Sequence, residues 1–359
     1  MVDANHESVI VSNRCVRLPY FGGVGTSVRK TSVFSGLRGR GLRCTERMIH
    51  DDVLHTIGHT PLVRLRKVVP EGCAEIAVKL EYFAPGGSIK DRAALAMIED
   101  AEKRGVLKAG AIVVEASAGN TGVGLAMVCA VRGYRCIIVL PEGTSREKRG
   151  VLGAFGAEIV MARADVDACD PEGYIGRAER LAKELGAFNP DQFENAANPG
   201  AHYTTTGPEI VAACDGKIDA FVACVGSGGT LGGTSRYLKA HVPGIVIYGA
   251  APDHAGCAGP HGGTLVEGIV EDVASCAGQG AMPDAIVRVH DKDAVAMTLR
   301  LAREEAILGG GSAGVAVCAA IEIARKLGRG KRVVTIVPDT GRNYLSTYFD
   351  EEWRRARDL

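Results

Sequence analysis

Lys90 lies in Pro85-Gly86-Gly87-Ser88-Ile89-Lys90-Asp91-Arg92, directly after glycines and directly before a stretch with helical apolar spacing. A cation there sits near the positive end of a helix dipole, which is unfavourable. A Schiff-base lysine, whose charge is delocalised over an imine, makes the position intelligible; a solvated lysine pairing with Asp91 is the plain alternative. The S-x-x-K nucleophile motif does not apply, because one residue separates Ser88 from Lys90 and no S-D-N or K-T-G follows. A second chemical signal is Gly226-Ser227-Gly228-Gly229-Thr230, continuing to Gly232-Gly233. Glycines let backbone N–H groups approach an anion, a helix start adds positive potential, and the two hydroxyls donate, so phosphate suits it. A dinucleotide fits this loop as well, with Asp253 after the next strand as a ribose partner. A Walker A loop is excluded, since no Gly-Lys-Ser/Thr closes it. Ser117-Ala118-Gly119-Asn120-Thr121-Gly122 is a third turn at a helix start and suits a carboxylate, or is an ordinary cap. Gly309-Gly310-Gly311-Ser312-Ala313-Gly314 leaves the same choice open.

These turns need strands to carry them. Apolar runs at 74–80, 111–117, 136–140, 158–162, 220–225, 245–250 and 333–339 are separated mostly by helix-length segments such as 92–104 and 315–327. Runs of this kind are strands buried on both faces. The pattern predicts an α/β protein with two open, twisted, mostly parallel sheets flanked by helices, and ligands at the carboxyl ends of the strands. The chain has 359 residues, enough for about two domains.

Composition narrows the function classes. Lys plus Arg and Asp plus Glu number 42 each, so there is no net field to hold nucleic acid or an anionic membrane. No stretch reaches the ~18 to 20 apolar residues of a membrane span. The 11 cysteines form no C-x-x-C pair and accompany no histidines at zinc spacing, which argues against a metal site or a disulfide framework. No acidic residue occurs between Glu7 and Glu46, where Arg14, Arg17, Arg29, Lys30, Arg38, Arg40 and Arg43 stand amid Ser, Thr and Gly. Residues 1–47 are therefore expected to be a disordered or targeting extension. The protein is expected in the cytoplasm, with an organelle as the alternative.

Seven motifs occur together and in order: GGSIKDR around Lys90, SAGNTG at 117–122, Gln192 within DQFENAANPGAHYTTTGPEI, GSGGT at 226–230, EGI at 267–269, GGSAG at 310–314 and PDTGRNYLS at 338–346. In these the chain resembles the pyridoxal-phosphate enzymes of the cysteine synthase and cystathionine β-synthase family, over about residues 52–356. The resemblance implies fold type II of pyridoxal-phosphate enzymes, similar to tryptophan synthase β, usually as a homodimer. It implies a smaller domain at 86–194 and a larger one made of 48–85 plus 195–359. By motif, Lys90 would hold pyridoxal 5'-phosphate as a Schiff base, Gly226, Ser227, Gly228, Gly229 and Thr230 would form the phosphate cup, Asn120 would meet the ring hydroxyl, and Ser312 the pyridine nitrogen. Ser117, Ala118, Gly119, Thr121 and Gln192 would cradle the carboxylate of an amino-acid substrate.

The activity implied is β-replacement on an activated L-serine, O-acetylserine or O-phosphoserine. Its amine displaces Lys90, which becomes the general base on Cα, and an aminoacrylate then accepts a thiol or sulfide. With sulfide the product is L-cysteine, a step of amino-acid biosynthesis; with serine and homocysteine the enzyme is a cystathionine β-synthase, and related β-substituted alanine synthases are a third possibility. A neutral Ser312 does not hold the pyridine nitrogen protonated, which favours prompt loss of the β-substituent. The chain departs from the family at Ala118, where a hydroxyl residue is common, and at Val270, where glycine is frequent. Should the donor carry phosphate, Arg146, Arg149 and Arg236 are the candidate partners. A dehydrogenase and a catalytically dead paralogue are the readings from other classes, and Lys90 argues against the latter.

Overall fold

A computed structural model describes residues 10, 11, 14, 15, 49–117, 119–253, 264–269, 280 and 282–359. Two compact units result, Met1–Met48 and Ile49–Leu359. In the first, β1 (Ile10–Val11) pairs antiparallel with β2 (Arg14–Cys15). The rest of the proposed extension, and the departures at Ala118 and Val270, lie outside the described residues.

The second unit contains the strands β3 (Leu62–Arg64), β4 (Glu75–Leu80), β5 (Ile112–Ala116), β6 (Arg135–Pro141), β7 (Glu158–Ala162), β8 (Ala220–Cys224), β9 (Val246–Asp253), β10 (Ala285–His290) and β11 (Arg332–Val337). They form one six-stranded sheet in the order β10-β9-β8-β11-β4-β3 and one three-stranded sheet, β5-β6-β7. All pairings are parallel except β3 with β4. The strands of the small sheet all fall within 86–194, and those of the large sheet fall outside it.

Helices α1 (Lys90–Lys103), α2 (Asn120–Arg132), α3 (Arg146–Ala154), α4 (Tyr174–Leu185), α5 (Ala197–Ala201), α6 (Gly207–Ala213), α7 (Gly229–His241), α8 (Asp291–Glu305), α9 (Gly311–Leu327) and α10 (Glu351–Arg355) complete the unit. The turn His202–Thr206 between α5 and α6 is π-helical, a distortion that often marks a functional site.

Both faces of each sheet are covered, which is why the strands read as unbroken apolar runs. On the large sheet, Ile76, Val78 and Val333 face α9, while Phe221, Ala223 and Ile336 face Leu231 and Leu238 of α7. On the small sheet, Val113 and Ile138 pack with Met97 of α1 and Leu125 of α2, and Val114 and Val139 with Ala178 and Ala182 of α4. Each large apolar side chain buried in this way contributes about 1.5–3 kcal/mol.

Two strands were not expected. β3 is only three residues long, and β10 is an edge strand whose exposure alternates instead of running apolar throughout. Helices also begin earlier than the apolar spacing indicated: α1 starts at Lys90 and α9 at Gly311, because helix starts here are built of small and polar residues.

Candidate active site

The carboxyl ends of the parallel strands converge on one cavity of about 340 Å³. β4 leads to Lys90, β5 to Ser117, β8 to Gly226 and β11 to Asp339.

Lys90 is half-buried at the first position of α1, with its Nζ 3.2 Å from Ser227 Oγ, to which it donates. A buried ionic cluster fixes this helix. Arg92 donates to Glu81 at 2.8 Å through Nε and to Glu209 at 2.7 Å through Nη1, and Lys79 Nζ reaches Glu209 at 2.7 Å. Thr60 Oγ1 donates to Glu81 at 2.6 Å. Two cations and two anions thus balance out of water, the arrangement in which deleting one partner costs about 3–5 kcal/mol. Burial works against the Glu209 charge, yet the bonds from Arg92 and Lys79 hold its carboxyl down at about 2. The neighbouring Asp91 accepts from the Gly86 N–H at 2.6 Å, and burial lifts its carboxyl to about 7.

The Gly226–Thr230 turn is shaped by close approach. Gly228 has φ +87°, a Cβ on Gly226 would lie 2.6 Å from the Gly268 carbonyl oxygen, and a Cβ on Gly229 would fall on Asn198 Oδ1. α7 then starts with no side chain of the protein capping it. Thr230 Oγ1 lies 3.4 Å from His202 Nε2, and His202 Nδ1 is 2.9 Å from Thr206 Oγ1. Complete burial keeps the imidazole neutral, its pKa far below the usual histidine range.

The Ser117 turn is occupied differently. Ser117 Oγ accepts from the Gly122 N–H at 2.9 Å in the first turn of α2, whose N-cap residue is Gly119. Thr121 Oγ1 donates to Gln192 Oε1 at 2.6 Å, and Asn120 Nδ2 donates to Asp339 Oδ2 at 2.8 Å. Tyr344 donates to the same oxygen at 2.7 Å. Burial pushes the Asp339 carboxyl upward against these bonds. Ser312 completes the lining, and its carbonyl accepts from Cys224 Sγ at 3.3 Å.

Of the residues singled out in the sequence, Lys90, Ser117, Gly119, Asn120, Thr121, Gln192, Gly226, Ser227, Thr230 and Ser312 all line the cavity. Gly228 and Gly229 form the turn beneath the lining. Arg146, Arg149 and Arg236 do not face it: the first two are exposed on α3, and Arg236 lies 4.9 Å above the Tyr203 ring. The lining cation besides Lys90 is Lys148, ion-paired with Glu267. Asp339, Tyr344, Lys148 and Glu267 were not assigned roles from the sequence, although Asp339, Tyr344 and Glu267 stand inside its motifs. Among the described residues no cluster of His, Cys, Asp or Glu could hold a metal ion.

This donor set fits pyridoxal phosphate: an amine for its carbonyl carbon, and an uncapped helix start with two hydroxyls for its phosphate. The chain matches the family described as "Pyridoxal-phosphate dependent enzyme" over residues 53–339. It is a member of that family. This pyridoxal-phosphate-dependent enzyme is 45% identical to a cysteine synthase of Staphylococcus aureus over 311 residues, which cover 83% of this chain and 96% of that protein. It is 43% identical to a cystathionine beta-synthase of Mus musculus, covering 84% of this chain and 56% of that one. The crystal structure of an O-ureido-L-serine synthase superposes with a TM-score of 0.76 at 35% identity, covering 84% of this chain and 96% of the other. The type II fold expected from the motifs is thus present, and so is dependence on pyridoxal phosphate. Among the described residues no helix is long and apolar enough to cross a membrane.

Proposed function

We propose that this enzyme makes L-cysteine, by β-replacement of the acetoxy group of O-acetyl-L-serine with sulfide, acetate leaving as the Cβ–O bond breaks. The observation that carries this reading is that one cavity holds a lysine amine between two separate anion-receiving helix starts, α7 and α2. One anion is the cofactor phosphate; the other is the substrate carboxylate. Pyridoxal phosphate, when bound, supplies an electron sink for the pair released from the Cα–H bond.

The protein's own groups supply the rest. Gly226–Thr230 would hold the phosphate with backbone N–H groups and the Ser227 and Thr230 hydroxyls. Asn120 would donate to the ring hydroxyl, and Ser312 would meet the pyridine nitrogen as a neutral partner. Ser117, Gly119, Thr121 and Gln192 orient the carboxylate so that the Cα–H bond faces Lys90. Once displaced by the substrate amine, Lys90 Nζ takes the Cα proton, and loss of the β-substituent follows. Among the described residues no arginine faces the cavity, which favours acetate over phosphate as the leaving group.

Lys148 and Glu267 favour a second reading. A cation and an anion side by side in the lining match the carboxylate and ammonium of a thiol amino acid, as cystathionine synthesis from serine and homocysteine requires. The two-domain division at 86–194 and a homodimer belong to the same proposal and are supported by the family resemblance; a cytoplasmic location, with an organelle as the alternative, is proposed alongside them. The deciding experiment crosses O-acetylserine, O-phosphoserine and serine with sulfide and homocysteine and identifies products by mass. Cysteine from O-acetylserine and sulfide as the fastest combination supports the reading; turnover only with homocysteine replaces it with the second.

A further inference from the structure

Asn198, on α5, is 1% exposed and belongs to neither anion site. Its Nδ2 donates to the Gln192 carbonyl oxygen at 2.8 Å and to Ser227 Oγ at 2.9 Å. A carbonyl oxygen can only accept, so the Gln192 contact fixes which end of the amide is nitrogen. Ser227 Oγ also receives the Lys90 ammonium at 3.2 Å. An amide nitrogen and an ammonium are both donors only, and a hydroxyl oxygen has two lone pairs. In the cofactor-free cavity both lone pairs are taken and the Ser227 O–H has to be given to an acceptor; once Lys90 is committed to the cofactor, the Asn198 N–H still occupies one lone pair and cannot accept, so the O–H turns to the cavity. Ser227 lines the cavity at the start of α7, where the neighbouring backbone groups are themselves donors, so the acceptor that completes the set is an anion.

We propose that Asn198 is a positioning residue that commits the Ser227 hydroxyl to donate to the cofactor phosphate and ties the phosphate cup to Gln192 of the amino-acid site. The inference rests on reading Gly226–Thr230 as that cup. Asn198 Oδ1 has no hydrogen-bond partner and stands where a Cβ of residue 229 would be, so the side chain has been placed for its nitrogen alone. Removing it frees a Ser227 lone pair, and the hydroxyl can then turn away from the anion.

The test titrates the full-length protein, stripped of cofactor, with pyridoxal 5'-phosphate and with pyridoxal, which lacks the phosphate. Asn198→Ala should weaken pyridoxal 5'-phosphate about ten- to hundredfold, the loss of a hydrogen bond to a charged group, and leave pyridoxal within about twofold. In a Ser227→Ala background the same substitution should add almost nothing, because its effect passes through the hydroxyl. Wild-type affinity of Asn198→Ala, equal weakening of both ligands, or a full further loss in the Ser227→Ala background overturns the proposal. Wild-type affinity of Ser227→Ala would instead overturn the cup assignment. Asn198→Leu, which keeps the volume, replaces the alanine variant should that one fail to fold. Without any substitution, the side-chain amide resonance of Asn198 should shift when inorganic phosphate is added to the stripped protein, and a resonance that stays in place refutes the coupling.

Discussion

The starts of α7 and α2 are both proposed as sites for an anion, but they are built in opposite ways. At α7 three of the five turn residues are glycine, neighbours press so closely on Gly226 and Gly229 that a Cβ is excluded there, and no side chain caps the helix. At α2 the turn is lined by side chains that already bond one another: Ser117 with the Gly122 N–H, Thr121 with Gln192, Asn120 with Asp339. A Cβ on Gly119 would meet nothing within 4 Å, whereas one on Gly229 would fall on Asn198. The first is largely backbone, closed to variation at Gly226 and Gly229 and suited to a constant guest. The second is adjustable, and on the proposed function specificity for the variable substrate would reside there.

Breaking what the two sites share should have the largest effect. Lys90→Ala should lower turnover by about 10²- to 10⁴-fold and abolish the lysine adduct fixed by borohydride, read by peptide mapping. An adduct on a different lysine would remove Lys90 from the centre of both sites. The glycines sharpen the contrast. Gly229→Ala should weaken cofactor retention by about tenfold or more, since a buried amide must move, while Gly119→Ala should retain cofactor within about twofold. Equal effects in equilibrium dialysis would erase the distinction between rigid and adjustable sites.

Smaller still is the expected effect of Thr121→Val, which removes the hydroxyl that holds Gln192. Donor KM should rise about two- to tenfold with cofactor affinity unchanged, measured by steady-state kinetics and dialysis on one preparation. The last test concerns Glu115 of β5, which accepts from the Asp191 N–H at 2.9 Å and so supports the Gln192 loop from below. Burial lifts its carboxyl to about 8, against the backbone bonds that oppose the rise. The folded protein therefore keeps a proton that the unfolded chain has released above about 4.5. Stability from this group is fully present below that pH and is lost as pH rises through about 8. Glu115→Gln should flatten this part of the profile, a change on the order of a few degrees in Tm across the interval. A variant as pH-sensitive as the wild type would show that Glu115 does not titrate there.

What the sequence revealed, and what it hid, follows from distance along the chain. Lys90, the glycine turn at 226–230 and the Ser117 turn were legible because each is a local pattern at the end of an apolar run. Asn198 was not, because its meaning lies in Gln192 on one side and Ser227 on the other, and the latter is 29 residues away. Asp339 bonds Asn120 across 219 residues, and no spacing rule joins such a pair. β3 escaped because three residues carry no periodicity. β10 escaped because its edge position makes it alternate, as with Val287 and Val289 buried beside exposed Ile286 and Arg288. The arginines offered as candidates for a phosphate-bearing donor, two on α3 and one on α7, do not face the cavity for a related reason: charge can be counted in a sequence, but the face of a helix that turns outward cannot.

The order β8-β11-β4 also governs how the molecule comes into being. β4 leads to the lysine and β8 to the cup, yet they never pair with each other; β11 separates them and pairs with both. β11 starts at Arg332, behind nearly all the rest of the sequence. On a ribosome that adds about 5–20 residues per second, every other part of the catalytic centre except Asp339 and Tyr344 emerges before the strand that unites them. Until then β4 and β8 each present an unpaired edge, the kind of surface on which nascent chains aggregate. Cofactor loading is thus expected to wait for β11, and a polypeptide cut short before Arg332 would carry both halves of the proposed binding site with nothing to set them in register.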